Sequence, residues 1–109
     1  MPVQNHQEVR QALSRKDILR GQGSALYAAG RYAEALSRFN EVLALNPEDY
    51  EVWALHGFSL AAENQFEASI TSFNKALAIS PKYALAWHGK GHALAKMGNF
   101  EEAAIHLKR

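Results

Sequence analysis

From Trp53 onward the apolar and small residues fall at steps of three and four: Trp53, Gly57, Leu60 and Ala61, then, after a break at Asn64, Phe66, Ile70, Phe73 and Leu77. That spacing puts each set on one face of an α-helix, so the stretch predicts two helices joined by a short turn. Asn64 tolerates the left-handed backbone that ends a helix. Ser80-Pro81 stops the second helix, because proline has no N–H to donate and disfavours helix in the residue before it. The same grammar recurs at a step of 34 residues. Pro47 and Pro81 keep that step, as do Trp53 and Trp87, the glycines Gly23, Gly57 and Gly91, and the leucines Leu26, Leu60 and Leu94. So do Tyr32, Phe66 and Phe100, then Phe39, Phe73 and Leu107, and the helix stops Gly30, Asn64 and Gly98. A fixed period of this kind with helical spacing inside it reads as an array of helix hairpins, about 14 residues to a helix.

The small residues suggest how the hairpins close. Glycine inside a helix costs about 1 kcal/mol relative to alanine, so Gly23, Gly57 and Gly91 call for a facing side chain that occupies the vacated space. Ala35, Ser69 and Ala103 would let paired helices approach, and the aromatic column of Tyr32, Phe66 and Phe100 would wedge between neighbouring hairpins. At the first boundary Asn46 is expected to cap the next helix, with Asp49 three residues on. Ahead of the repeat, Asn5 and Glu8 have capping-box spacing and Val9, Ala12 and Leu13 mark an apolar stripe, which predicts an N-terminal helical extension over residues 1–15. Ser14 with Asp17 forms a second start signal.

These residues resemble the tetratricopeptide repeat family, whose signature runs W-x2-L-G-x2-Y, then A-x3-F, then P. The resemblance covers residues 16–109, divided into repeats at 16–49 and 50–83 and an incomplete one at 84–109. The second unit reads Trp53, His56, Gly57, Leu60, Ser69, Phe73 and Pro81; the first reads Leu19, Gln22, Gly23, Leu26, Ala35, Phe39 and Pro47; the third gives Trp87, Lys90, Gly91, Leu94, Ala103 and Leu107. The leucine before the glycine is polar in all three, and the tyrosine is always leucine. The resemblance implies an all-α fold, a right-handed α-α superhelix or solenoid of helix hairpins.

Composition narrows the chemistry. The chain has 109 residues, 48% of them hydrophobic and 21% charged, the profile of one packed domain rather than a disordered segment. It contains no cysteine, which removes disulfides, thiolate metal sites and cysteine nucleophiles. No secretory signal or bilayer-length apolar run is visible, so no membrane association is expected and a cytoplasmic location is the default. The net charge of +1 is distributed as +3 over residues 1–31, −6 over 32–73 and +4 over 74–109. That lacks the strong basic excess of a nucleic-acid footprint, and no nucleic-acid partner is expected. An acidic middle between basic ends could attract basic partners or other copies.

The sequence reads as non-enzymatic, with no cofactor. Gly21-Gln22-Gly23 and Gly89-Lys90-Gly91 follow no predicted strand and lack the P-loop pattern, so helix packing is their expected role. Glu48-Asp49 and Glu101-Glu102 sit at helix starts, where carboxylates favour the positive end of the dipole. His88 and His92 are spaced i, i+4 as a zinc pair requires, but a third ligand is not evident and Lys90 lies between them, so no metal is assigned.

By the resemblance, first helices line a concave face. That groove would present Asp17, Arg20, Ser24 and Tyr27, then Glu51, Leu55 and Phe58, then Leu85, His88, His92 and Lys96, a mixture suited to a peptide more than to a metabolite. The carboxylate clamp of the family's chaperone adaptors maps onto Arg20, Ser24, Leu55, Leu85 and Gly89. Only Arg20 keeps the charge, so a chaperone C-terminal carboxylate is not the expected ligand.

The leading reading is therefore a protein–protein interaction scaffold that holds a peptide or partner protein in its groove. The second is a self-assembly module or a fragment of a larger repeat protein, and the third is a metal site at His88 and His92. The second follows from the last helix, which begins near Phe100 and runs out at Arg109. Leu94, Met97, Phe100, Ile105 and Leu107 then include side chains that a further helix would cover, which predicts a homodimer through that end.

Overall fold

Among the described residues, three adopt the left-handed backbone that ends a helix: Gly30 (φ 79°), Asn64 (φ 62°) and Gly98 (φ 86°). They are the three helix stops of the 34-residue pattern. At the first two the turn closes identically, with Arg31 N–H donating to the Leu26 carbonyl and Gln65 N–H to that of Leu60, both at 2.9 Å. The last carbonyls of each helix are thereby satisfied and the chain reverses.

The computed structural model describes residues 6–98, and side-chain surroundings from residue 14 on. Within them lie α1 (His6–Ala28), α2 (Tyr32–Leu45), α3 (Tyr50–Ala62), α4 (Phe66–Ile79) and α5 (Ala84–Lys96), with no strand. Among the described residues no helix is long and apolar enough to cross a membrane. The start signal at Ser14 and Asp17 does not interrupt α1, which runs through both as one helix of 23 residues. Phe100, Ile105 and Leu107, on which the uncapped end and the predicted homodimer partly rest, lie outside the described residues, as do Ala103 and the expected last helix from Phe100 onward. Of the residues named for that end, Leu94 is buried and Met97 is exposed.

Asn46 does not cap α3. It ends α2, its own N–H bonding to the Val42 carbonyl at 2.8 Å, and its side chain accepts from Glu48 N–H at 3.2 Å. Asp49 caps α3 instead by accepting from Val52 N–H at 3.2 Å. Pro47 separates the two roles: it opens the connecting turn, so the side chain that can reach the first free N–H groups of α3 is the one adjacent to Tyr50.

Consecutive helices pack as neighbours, and α3 also touches α1 and α5. The first helices of the units thus stand side by side, backed by α2 and α4. Phe39 and Phe73 are fully buried between the layers, with Ala35 and Ser69 also fully buried beside them. A Cβ at Gly23 would lie 2.5 Å from the Phe39 ring, and one at Gly57 would lie 2.8 Å from Phe73. Those are the facing side chains expected for Gly23 and Gly57; Leu107, which holds the corresponding column for Gly91, lies outside the described residues. Gly89 is pressed against the same Phe73 ring from the next unit, and also against Phe58. Gly21 differs: it is exposed with open space around its Cα, so packing does not account for it. Tyr32 and Phe66 are only half-buried, because they start the second helices at the turn, outside the interleaved layers.

Two further ties repeat with the period. Trp53 Nε1–H donates to the Pro47 carbonyl at 2.8 Å and Trp87 Nε1–H to that of Pro81 at 2.6 Å, so each indole fastens a first helix to the turn that precedes it. His56, at a position where the repeat signature has leucine, bridges two other helices. In the neutral Nε2–H tautomer, Nε2–H donates to Asn40 Oδ1 on α2 at 2.9 Å and Nδ1 accepts the Ser72 hydroxyl of α4 at 2.8 Å. Burial lowers the His56 pKa, which favours that neutral form.

Two predictions follow the packing. Gly23→Ala forces a fully buried Phe39 ring to move, at about 2–3 kcal/mol, and regains about 1 kcal/mol of helix propensity, so it should lower the melting temperature. Gly21→Ala meets nothing and should raise it by a few degrees, since 1 kcal/mol corresponds to about 4–8 °C in a domain of this size. Thermal denaturation of both variants checks the opposite signs. For His56, whose folded pKa lies below its unfolded value of about 6.5, the unfolded chain binds more protons as pH falls through that window. Its contribution is complete above about pH 6.5 and is lost below, so the melting temperature should fall between pH 7.5 and 5.5, and His56→Gln should flatten that slope.

Candidate functional site

The face that α1, α3 and α5 share is built by the same period that fixes the core. α1 and α3 turn Gly23 and Gly57 toward the second helices of their own units, while Ser24 and Phe58, one position on and so about 100° around the helix, are only half-buried. The two ends of the shared face differ in chemistry.

At the start of α3 the surface is polar and internally paired. Arg20 donates from Nη2 to Glu51 Oε1 at 2.6 Å, and its Nη1 lies 3.5 Å from Asp49 Oδ2. Asp49 is buried and also caps α3, so one carboxylate serves both the helix start and the cation. The Glu51 hydrogen bond, then the nearby charges of Asp49, Glu51 and Asp17, raise the Arg20 pKa against the opposing effect of burial. Tyr50 and Tyr83 meet edge to face beside this group, with centroids 5.0 Å apart. Burial first, and then Glu51, raise the Tyr83 pKa, so its phenol stays protonated.

Toward the C-terminal ends of the same helices lies an open hollow of about 240 Å³ lined by Tyr27, Phe58, Ala61, Ala62, Asn64, Phe66, His92 and Lys96. Phe58 is held edge to face on Phe73, with centroids 4.9 Å apart, and Tyr27 on Tyr32, with centroids 5.5 Å apart. Burial, and then Tyr32, raise the Tyr27 pKa, leaving a neutral hydroxyl at the rim. His92 and Lys96 are exposed on the α5 side.

The structure therefore gathers Tyr27, Phe58, His92 and Lys96 around one hollow, and joins Arg20 to Glu51 at the other end. Ser24 and Leu55 lie between them in sequence and are half-buried, Leu55 against the core of the first unit. Leu85 and His88 are exposed and outside both groups, whereas the exposed Asp17, three residues before Arg20 on α1, adds its charge to the Arg20 group. Sequence reasoning missed Ala61, Ala62, Asn64 and Phe66 as lining residues. Asn64 and Phe66 were visible only as a helix stop and a column aromatic, and the reversal at Asn64 is what carries Phe66 to the hollow's edge. Among the described residues no group of three His, Cys, Asp or Glu side chains is placed to hold a metal ion, so His88 and His92 find no third ligand there.

No curated protein sequence matches the chain. Among solved structures, the Sgt2 tetratricopeptide domain from Aspergillus fumigatus superposes with a TM-score of 0.80 at 24% identity, over 84% of this chain and 60% of that one. The chain thus spans 60% of the Sgt2 domain's length. The TPR2B domain of yeast Sti1, solved as a complex with pHsp70, gives 0.84 at 21% identity over 87% of this chain and 76% of that one. The Yersinia enterocolitica type III secretion chaperone SycD, solved with a peptide of the translocator YopD, gives 0.80 at 20% identity over 83% and 69%. At these identities the likeness is one of fold, an all-α helical-repeat solenoid. Two tetratricopeptide repeat profiles match the sequence itself, one over residues 20–84 and one over residues 60–109. The first alone spans more than half of the 109 residues, and with the helix hairpins, the glycine–phenylalanine contacts and the 34-residue period it shows that the chain belongs to the tetratricopeptide repeat family.

Proposed function

We propose that this chain is a non-catalytic interaction module that holds a peptide segment of a partner protein along the face of α1, α3 and α5. The observation that carries the reading is the hollow in which Tyr27, Phe58, His92 and Lys96 meet from three different helices. Its volume of about 240 Å³ falls below the roughly 300–1,000 Å³ of small-molecule sites and suits a single side chain of a longer ligand. Aromatic walls already fixed by Phe73 and Tyr32 lose little entropy when a ligand arrives, which is what a binding surface needs. Related folds lend support, since the Sti1 domain and SycD were each solved with a bound partner or peptide.

A chaperone carboxylate clamp is not part of this reading. Arg20, the one charge at the matching positions, is already engaged by Glu51 and Asp49, and Gly89 is occupied by its contact with Phe73.

Selection from a displayed library of random peptides tests the proposal. Peptides should be enriched, and Ala62→Trp, which fills the hollow from an exposed position, should weaken them by about tenfold or more, a loss of about 1.4 kcal/mol, without lowering the melting temperature. An empty selection, or peptides indifferent to Ala62→Trp, would sink it.

A further inference from the structure

The two ends of the groove carry opposite charge, and that arrangement specifies more than a peptide. At the α3 start, Asp17, Asp49 and Glu51 surround a single cation, Arg20, whose donors are already committed to Asp49 and Glu51. The excess there is negative, and the Glu51 side chain remains 47% exposed. Among the described residues, the only formal charge lining the hollow belongs to the exposed Lys96, and no carboxylate there is paired with it. Glu63 follows Ala62 in sequence but lies outside the lining and accepts from Gln65 Nε2 at 3.4 Å. A ligand crossing this surface meets carboxylates, then an aromatic-walled hollow, then an ammonium.

Helical geometry sets the spacing. Arg20 to Tyr27 and Glu51 to Phe58 are each seven residues, two turns, or about 10 Å along the helices. An extended chain covers that in about three residues at roughly 3.3 Å each. Lys96 lies a further turn along α5 from His92 and is itself one of the residues that line the hollow.

Resting on the groove reading above, we propose that the partner segment carries an aromatic or leucine anchor for the hollow, a basic residue about three positions to one side for Asp17 and Glu51, and an acidic residue one or two positions to the other side for Lys96. The apolar anchor supplies affinity by leaving water, and the flanking charges set register and reject segments of reversed polarity, because like charges would then face each other at both ends. The required polarity is opposite to that of a ligand whose carboxylate lies at the Arg20 end.

The sequences enriched from the random-peptide library supply the first readout, and a synthetic fluorescent copy of the best binder supplies the second. The enriched set should show the basic, apolar, acidic order in one chain direction. Changing the acidic residue of the synthetic peptide to lysine should weaken it by about fivefold on the wild-type protein and restore it on Lys96→Glu, with both effects shrinking in high salt. Lys96 is exposed but sits in the last turn of α5, where a carboxylate opposes the helix dipole, so Lys96→Glu should lower the melting temperature only slightly and leave the chain folded for the exchange. Binders that lack the charge order, or a charge exchange that gives no rescue on Lys96→Glu, overturn this proposal while leaving the groove reading intact. A library that yields no binder overturns the groove reading, and this proposal with it.

Discussion

The Phe73 ring sets the spacing on which the rest of the described fold depends. It is fully buried, lies against Gly57 of its own hairpin and against Gly89 of the next, and carries Phe58 on its edge. One side chain thereby fixes both the α3–α4 distance inside a unit and the α4–α5 distance between units. Because protein interiors are packed nearly as densely as organic crystals, neither glycine can take a methyl group without moving the ring. The helix-propensity cost of two internal glycines is offset by the depth at which an aromatic side chain is buried. Phe39 and Gly23 repeat half of this arrangement in the first unit.

The groove inherits its geometry from those rings. With α1, α3 and α5 held in place from behind, their outward faces come together, α3 touching both of its neighbours, and Phe58 reaches the hollow while resting on Phe73. Polar ties then fix orientation. Asp49 starts α3 and holds Arg20, the two tryptophans fasten α3 and α5 to the turns before them, and His56 joins α3 to α2 and α4. A surface fixed in this way presents its charges at set distances, which is the condition for reading a ligand by charge order.

Residues in the repeating columns were legible because they act locally or within one hairpin. Gly30 and Asn64 end helices through their own backbone, and Gly23 and Gly57 each need a ring from the adjoining helix. The columns were equally visible for Trp53 with Pro47 and Trp87 with Pro81, but periodicity carries no information about which atoms bond. The indole-to-carbonyl hydrogen bond appears only once the turn is folded. Asn46 shows the complementary limit: its type and spacing suit a cap, and the path of the chain through Pro47 gives that role to Asp49.

The sequence by itself determined the helices, their stops, the hairpin period and the family, since each depends on interactions between residues close along the chain or repeated at one step. Only the tertiary structure decided which groove residues act together. Arg20 and Glu51 are 31 positions apart and Tyr27 and His92 lie on different units, so whether a charge is already paired or a ring faces open space depends on the angles at which helices cross. Those angles are set by side-chain packing between helices, which the periodicity of any one helix does not encode.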